Sequence, residues 1–154
     1  MSAHITPERP DTPDARALIE ELEAQLAPLY PCESRHGYSV EKLIEQAVAF
    51  FVLRSDGLPA GCGGVQLFGT EYGELKRMYV RPQFRGQGYG KLMLEHLAAY
   101  ARGRGVELLR LETGIHQHAA IKLYEGFGFR SIPPFGEYKE DPLSRFYELR
   151  IGIG

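Results

Sequence analysis

The chain has 154 residues, of which 44% are apolar and 25% charged, and its formal net charge is −2. That length suits one domain over residues 1–154 whose core needs no disulfide or metal staple, and the composition argues against disorder. The charge balance, 18 basic against 20 acidic residues, carries no electrostatic footprint for nucleic acid or a membrane surface.

The N-terminus has neither a basic cluster nor an apolar stretch, so no secretory signal is expected and the protein is placed in the cytoplasm. Residues 6–14, with Pro7, Pro10 and Pro13, read as an extended lead-in. A helix then opens with Thr12 as N-cap and Pro13 in the first position. Ala15, Leu18, Ile19, Leu22, Leu26 and Leu29 make its apolar stripe, and Pro28 and Pro31 end it. Residues 30–38 form a polar, aromatic-rich loop, and Ser39 caps a short helix over 40–46.

A β-meander follows. Residues 47–54 read as a strand, Ser55-Asp56-Gly57 as a turn, and 58–68 as the partner strand, with glycines at 61, 63 and 64. The longest apolar run, Ala47 to Leu53, falls far short of the ~20 residues that span a bilayer. Cys32 and Cys62 form no CxxC, so neither a disulfide framework nor a zinc motif is expected. Cys62, between glycines in apolar surroundings, is expected to be a buried small residue. Glu74 to Val80 is a third strand, whose alternation predicts Glu74, Lys76, Met78 and Val80 on one face.

Residues 88–104 are a long helix with Tyr89, Leu92, Met93, His96, Leu97 and Tyr100 as its stripe. A strand over 106–112 and a helix over 117–125, with Gly126 near its end, come next. Residues 127–132 and 146–151 are final strands, separated by a loop from Pro133 to Ser144. The fold class is α/β: a mixed sheet with helices on both faces.

The strongest local signal is Arg85-Gly86-Gln87-Gly88-Tyr89-Gly90-Lys91, directly after a strand and at the start of a helix. Glycines let the backbone turn with its N–H groups inward, and the helix N-terminus adds about half a positive charge. Together with Arg85 and Lys91 this makes a phosphate site. The spacing is neither a Walker A loop nor GxGxxG.

Two segments resemble the GNAT superfamily of acyl-CoA-dependent N-acyltransferases. Glu74–Val80 followed by Arg85-x-x-Gly88-x-Gly90 is similar to the family's cofactor motif. Ala120–Phe129, reading AIKLYEGFGF, is similar to its second conserved-pattern segment, and the distance between the two fits. One departure is Gln117, where members often carry Asn. The segments Glu33–His36, Pro133–Tyr138 and Asp141–Ser144 resemble a bacterial subgroup.

The resemblance implies acetyl-CoA as cosubstrate, no metal, and transfer of acetyl to an amine, with a homodimer by analogy. It implies a cofactor site of Met78, Tyr79, Val80, Arg85, Gly86, Gln87, Gly88, Tyr89, Gly90, Lys91 and Gln117. It gives Tyr124 the role of proton donor to the leaving thiolate and the Met78 N–H the role of carbonyl donor, in a strand that splays from its parallel neighbour. The general base is expected to be Glu74, with Glu112, Glu33 or a water chain as alternatives. Glu33, Arg35, His36, Glu112 and His116 are expected around a small-molecule amine acceptor, with Arg35 suited to a carboxylate. His116-x-His118 lacks the further ligand a metal site requires. A rival, a non-catalytic acyl-CoA-binding module, could dispense with Tyr124 and Glu74, and both are present.

Overall fold

The computed structural model describes residues 2–152. Its sheet has seven strands in the order β1-β2-β3-β4-β5-β7-β6. These are β1 (Ala3–Pro7), β2 (Ala49–Ser55), β3 (Leu58–Phe68), β4 (Tyr72–Val80), β5 (Leu108–Gly114), β6 (Arg130–Ile132) and β7 (Ser144–Arg150). All neighbours are antiparallel except β4 and β5. β1 replaces part of the expected lead-in: it pairs with β2 from Ala3↔Ser55 to Pro7↔Phe51. Five residues are too few for a period-2 pattern to register, and Pro7 is tolerated because the strand lies at the sheet edge.

α1 (Pro13–Leu26) and α2 (Val40–Glu45) cover one face. Both expected caps form: Thr12 Oγ1 accepts from the Ala15 N–H at 3.2 Å, and Ser39 Oγ from the Lys42 N–H at 3.1 Å. Leu18, Ile19 and Leu43 pack there against Phe50, Val52 and Cys62. α3 (Tyr89–Gly103) and α4 (His118–Phe127) cover the other face, where Leu94, Leu97 and Ala101 meet Val65, Leu75 and Leu109. The buried arc of α3 is rotated from the expected stripe: Leu92 is 41% exposed, while Leu94, Ala98 and Ala101 are buried. His96 and Tyr100 instead flank the Phe51 ring, at 4.5 and 5.5 Å. α4 ends not at Gly126 but at Gly128, whose φ of +113° supplies the left-handed residue a helix C-terminus favours. No helix among the described residues is long and apolar enough to cross a membrane.

Two irregularities position the site. The parallel pairing of β4 with β5 is confined to Gly73↔Leu109 and Glu74↔Arg110. Beyond it the strands part, so Leu75 to Val80 have no partner on the β5 side. The second irregularity is a β-bulge. Cys62 pairs with Tyr79 and Gly64 with Lys76, so Arg77 and Met78 together oppose Gly63. Arg77 takes a φ of +55°, sparsely populated for a residue with a side chain. A Cβ on Gly63 would lie 2.8 Å from Met78 Sδ, so the Met78 side chain occupies the space that glycine leaves opposite the bulge.

The extra residue inverts the alternation, which corrects the expected face. Lys76 lies over Tyr38, Arg77 bonds Glu23 of α1, and Tyr79 bonds Glu21, all on the α1/α2 side. Met78 and Val80 pack into the α3/α4 core instead. Glu74 and Met78 therefore project from opposite faces of the sheet.

Candidate active site

The glycine loop joins β4 to α3 through a single 3₁₀ turn, Pro82–Phe84. Gly86 and Gly88 have φ of +81° and +80°. A Cβ on either meets nothing within 4 Å, so it is the left-handed backbone, not space, that calls for glycine. Gly90 differs: its Cβ would lie 2.8 Å from Leu123 Cδ2, so here glycine lets α3 approach α4. Gly88 is the N-cap of α3 and no side chain caps that end, which leaves the first-turn N–H groups for an outside acceptor.

A cavity of about 590 Å³ starts at this loop. It runs past Arg85, Gly86, Gly88, Tyr89, Gly90 and Lys91, along Met78, Tyr79 and Val80, to His116, Gln117 and Tyr124. Arg85 Nε donates to the Val80 carbonyl at 3.2 Å, and the Tyr89 hydroxyl is anchored on Ser55 Oγ at 2.7 Å. The Tyr79 hydroxyl points to α1, toward Glu21 and Gln25. Gln87, between two left-handed glycines, has an exposed side chain that does not line this cavity, so only its backbone faces the loop's anion site. Uncapped helix N–H groups and two cations suit a diphosphate at one end. A strand without its β5 partner suits an extended amide-bearing arm at the other. The residues present fit acetyl-CoA.

Met78, Gln117, Ala120 and Tyr124 also line a second, smaller cavity of about 120 Å³ in the gap between β4 and β5. Arg35, His36 and Glu112 wall this chamber, together with Ser34, Arg77 and Tyr30. Tyr124 is buried, and burial first, then the charge of Glu112, pushes its phenol well above the ordinary tyrosine range. It therefore stays protonated. Burial likewise raises the Glu112 carboxyl above its ordinary value. The bond from Ser144 Oγ, at 2.8 Å, and the nearby His36 and Lys76 oppose that rise, while Glu74 adds to it.

Tyr30 was not singled out by sequence, yet it organises the turn between β5 and α4. Its hydroxyl donates to Gln117 Oε1 at 3.2 Å and accepts from the His116 N–H at 2.9 Å. The ring fills the space a Cβ on Gly114 would need, with its oxygen 2.1 Å from that position. Gln117 is the N-cap residue of α4 but makes no capping bond; its side chain serves Tyr30 instead.

A third cavity, about 770 Å³, opens on the α2 side and shares Arg35, His36 and Gly37 with the chamber. Glu74 belongs to this back cleft rather than to the chamber. Its Oε2 accepts from Lys76 Nζ at 2.8 Å and from the Tyr138 hydroxyl at 2.6 Å. Burial lowers the pKa of Lys76, and the attraction of Glu74 partly restores it. His36 is held by Asp141 at 3.6 Å and by the edge of Tyr138. Two further residues stand apart from the chamber. Glu33 is exposed in the 3₁₀ turn Cys32–Ser34 and is not among the residues that line the chamber. His116 packs on Tyr30 and lines the loop cavity, not the acceptor side. Cys62 is buried as expected, its Sγ donating to the Arg77 carbonyl at 3.3 Å.

Comparison with known proteins agrees with this geometry. Residues 15–129 match the acetyltransferase (GNAT) family model. An IAA acetyltransferase of Azospirillum brasilense is 44% identical over 133 residues, covering 85% of this chain and 86% of that one. The uncharacterized N-acetyltransferase YsnE of Bacillus subtilis is 36% identical over 137 residues, covering 88% and 91%. A crystal structure from Klebsiella pneumoniae assigned as an acyl-CoA N-acyltransferase superposes at a TM-score of 0.83 and 39% identity, over 97% of this chain and 98% of that one. The PaiA N-acetyltransferase of Thermoplasma acidophilum, solved with coenzyme A, shares the fold at a TM-score of 0.76 and 21% identity, over 97% and 99%. Matched over most of its length by the family model and by these relatives, the chain belongs to the GNAT family and is an acyl-CoA-dependent N-acetyltransferase.

Proposed function

We propose that this chain moves an acetyl group from acetyl-CoA to the primary amine of a small, amino-acid-like acceptor, directly and with both substrates bound. One observation carries the reading: Tyr124 and Met78 line both the cavity that begins at the glycine loop and the chamber that holds Glu112. A thioester brought along the first and an amine entering the second meet at those two residues.

Acetyl-CoA, when bound, supplies the thioester carbonyl. The amine must lose a proton first, because an ammonium of pKa ~10.4 has no free electron pair. Glu112 is the base. It lines the chamber, and its raised pKa makes it a better proton acceptor than an ordinary surface carboxylate. Glu74, the first expectation, is engaged by Lys76 and Tyr138 in the back cleft. The Met78 N–H, in the unpartnered stretch of β4, donates to the carbonyl oxygen as negative charge grows there. Tyr124, kept protonated, donates to the departing sulfur. Glu112 takes the ammonium proton and passes it to solvent; the nitrogen–carbon bond then forms, the carbon–sulfur bond breaks, the second nitrogen proton goes to Glu112, and the phenol proton goes to sulfur. Proton exchange with solvent then resets both residues.

No enzyme thiol is required. Burial pushes the Cys62 thiol up to about 12, and Cys32 is exposed and lines no cavity. The test is thermal denaturation with acetyl-CoA, CoA, ATP and NAD, followed by thiol release across small amines and peptides. At 100 times its Kd a ligand adds about 2.7 kcal/mol, or roughly 5–10 °C for a chain of this size. A shift with acetyl-CoA or CoA and turnover on small amines is expected. A shift with ATP or NAD alone, or turnover on peptides alone, refutes the reading.

A further inference from the structure

Arg35 lies between the small chamber and the back cleft and lines both. Its Nε is shut off from solvent and has no hydrogen-bond partner. Buried donors without acceptors are rare in folded proteins and ask for an explanation. The contact Arg35 does make is loose: Nη1 lies 3.7 Å from Glu23 Oε2. The other oxygen of that carboxylate is bonded by Arg77, whose Nε also donates to the Tyr38 carbonyl at 2.8 Å. Two guanidinium groups thus share one carboxylate, and Arg35 is the one left with the loose contact. The Glu23 contact uses Nη1, which leaves the edge formed by Nε and Nη2. That edge is one of the two through which an arginine can take a carboxylate by two parallel hydrogen bonds.

Beyond Arg35, the rings of Tyr38, Phe68, Tyr72 and Tyr138 line the cleft between polar groups, Lys42 and Gln66 among them. Its buried charges are matched to each other, Lys76 with Glu74 at 2.8 Å. Size divides the two spaces. The chamber encloses about 120 Å³ and the cleft about 770 Å³, so a bulky group attached to the amine has to lie in the cleft.

From this we infer that the acceptor is an α-amino acid with a large apolar side chain. Its amine lies in the chamber beside Glu112, its carboxylate on Arg35, and its side chain among the aromatic rings of the back cleft. In an α-amino acid the ammonium and carboxylate hang from one carbon. The groups that recognise them must then line one small space, as Glu112 and Arg35 do. The inference rests on the transfer reading above and narrows its acceptor. The bond changes are those already given, and the carboxylate takes no part in them.

The experiment pairs each amino acid with its decarboxylated counterpart: phenylalanine with phenethylamine, tryptophan with tryptamine, leucine with 3-methylbutylamine. Glycine and aspartate complete the set, and thiol release and product mass are read with acetyl-CoA saturating. Each bulky amino acid is expected to exceed its counterpart in kcat/KM by about 10- to 100-fold, the range of a charge-assisted hydrogen bond. Arg35→Met should raise KM for the amino acid by a similar factor and erase the preference. Its thermal shift with acetyl-CoA should persist, which reports a folded cofactor site. Equal turnover within the pairs, a preference that survives Arg35→Met, or a preference for glycine or aspartate overturns the inference and leaves the transfer reading standing. A thermal shift with acetyl-CoA but no turnover on any small amine overturns both.

Discussion

Glu112, half-buried, and Glu74, buried, are carboxylates on neighbouring strands, and substituting each by glutamine separates the proposed base from a structural ion. Glu112→Gln keeps the size of the side chain and an acceptor for Ser144 but cannot take a proton. A positioned base contributes about 10²- to 10⁴-fold, so kcat/KM should fall by that factor with little change in Tm. The wild-type enzyme should lose activity on its acid limb as pH falls through the Glu112 pKa. That pKa lies above the ordinary carboxylate value because burial disfavours the charged form. In Glu112→Gln that limb should vanish. Glu74→Gln acts on a different quantity. Lys76 is 6% exposed and its ammonium bonds Glu74 at 2.8 Å, so removing the carboxylate charge strands a buried cation. Breaking one side of such a pair costs about 3–5 kcal/mol, or roughly 6–20 °C in Tm at ~2–4 °C per kcal/mol. The assay is kcat/KM against pH alongside thermal denaturation for both variants. Turnover within about threefold of wild type in Glu112→Gln, together with a lost acid limb and unchanged Tm in Glu74→Gln, would reverse the assignment.

Tyr124→Phe removes the hydroxyl from a buried ring that packs on Phe129, so the fold should persist. Turnover should fall by about 10²-fold or more while calorimetry shows CoA binding retained; undiminished turnover would remove Tyr124 from the mechanism. Gly114→Ala drives a methyl group into the Tyr30 hydroxyl, 2.1 Å away, on a side chain that is buried and twice hydrogen-bonded. Overpacking of this kind costs about 1–3 kcal/mol in urea denaturation. In a Tyr30→Ala background the cost should drop by about 1 kcal/mol or more, and strict additivity would show that the clash is not what matters.

Much of the machinery is local and was legible in the residues. Thr12 and Ser39 cap the helices they precede, because a cap is decided within three residues. Gly86 and Gly88 mark left-handed backbone ahead of a helix, and the strand–loop–helix order around them follows from periodicity and punctuation. The second motif, Ala120–Phe129, falls on α4 and its Gly128 stop; the resemblance, not the helical spacing, singles out Tyr124 there. β1 escaped because a five-residue edge strand is defined by its partner more than by its own pattern.

What the tertiary structure decided is where each carboxylate lies: Glu112 lines the small chamber and Glu74 the back cleft. Arg77 reads as an ordinary strand residue, yet at φ +55° it forms the bulge that sends Met78 to one face and leaves Glu74 on the other. Tyr138 lies 64 residues from Glu74 along the chain, and only the folded loop from Pro133 brings its hydroxyl to that carboxylate. Tyr30 and Gly114 fit one another across a similar distance. Sequence by itself determined the cofactor loop, the family and the helices that carry them, because backbone conformation and capping depend on neighbours a few residues away. The walls of the chamber and of the back cleft and the pairing of buried charges depend on strand register and on contacts between distant segments, and those exist only once the chain has folded.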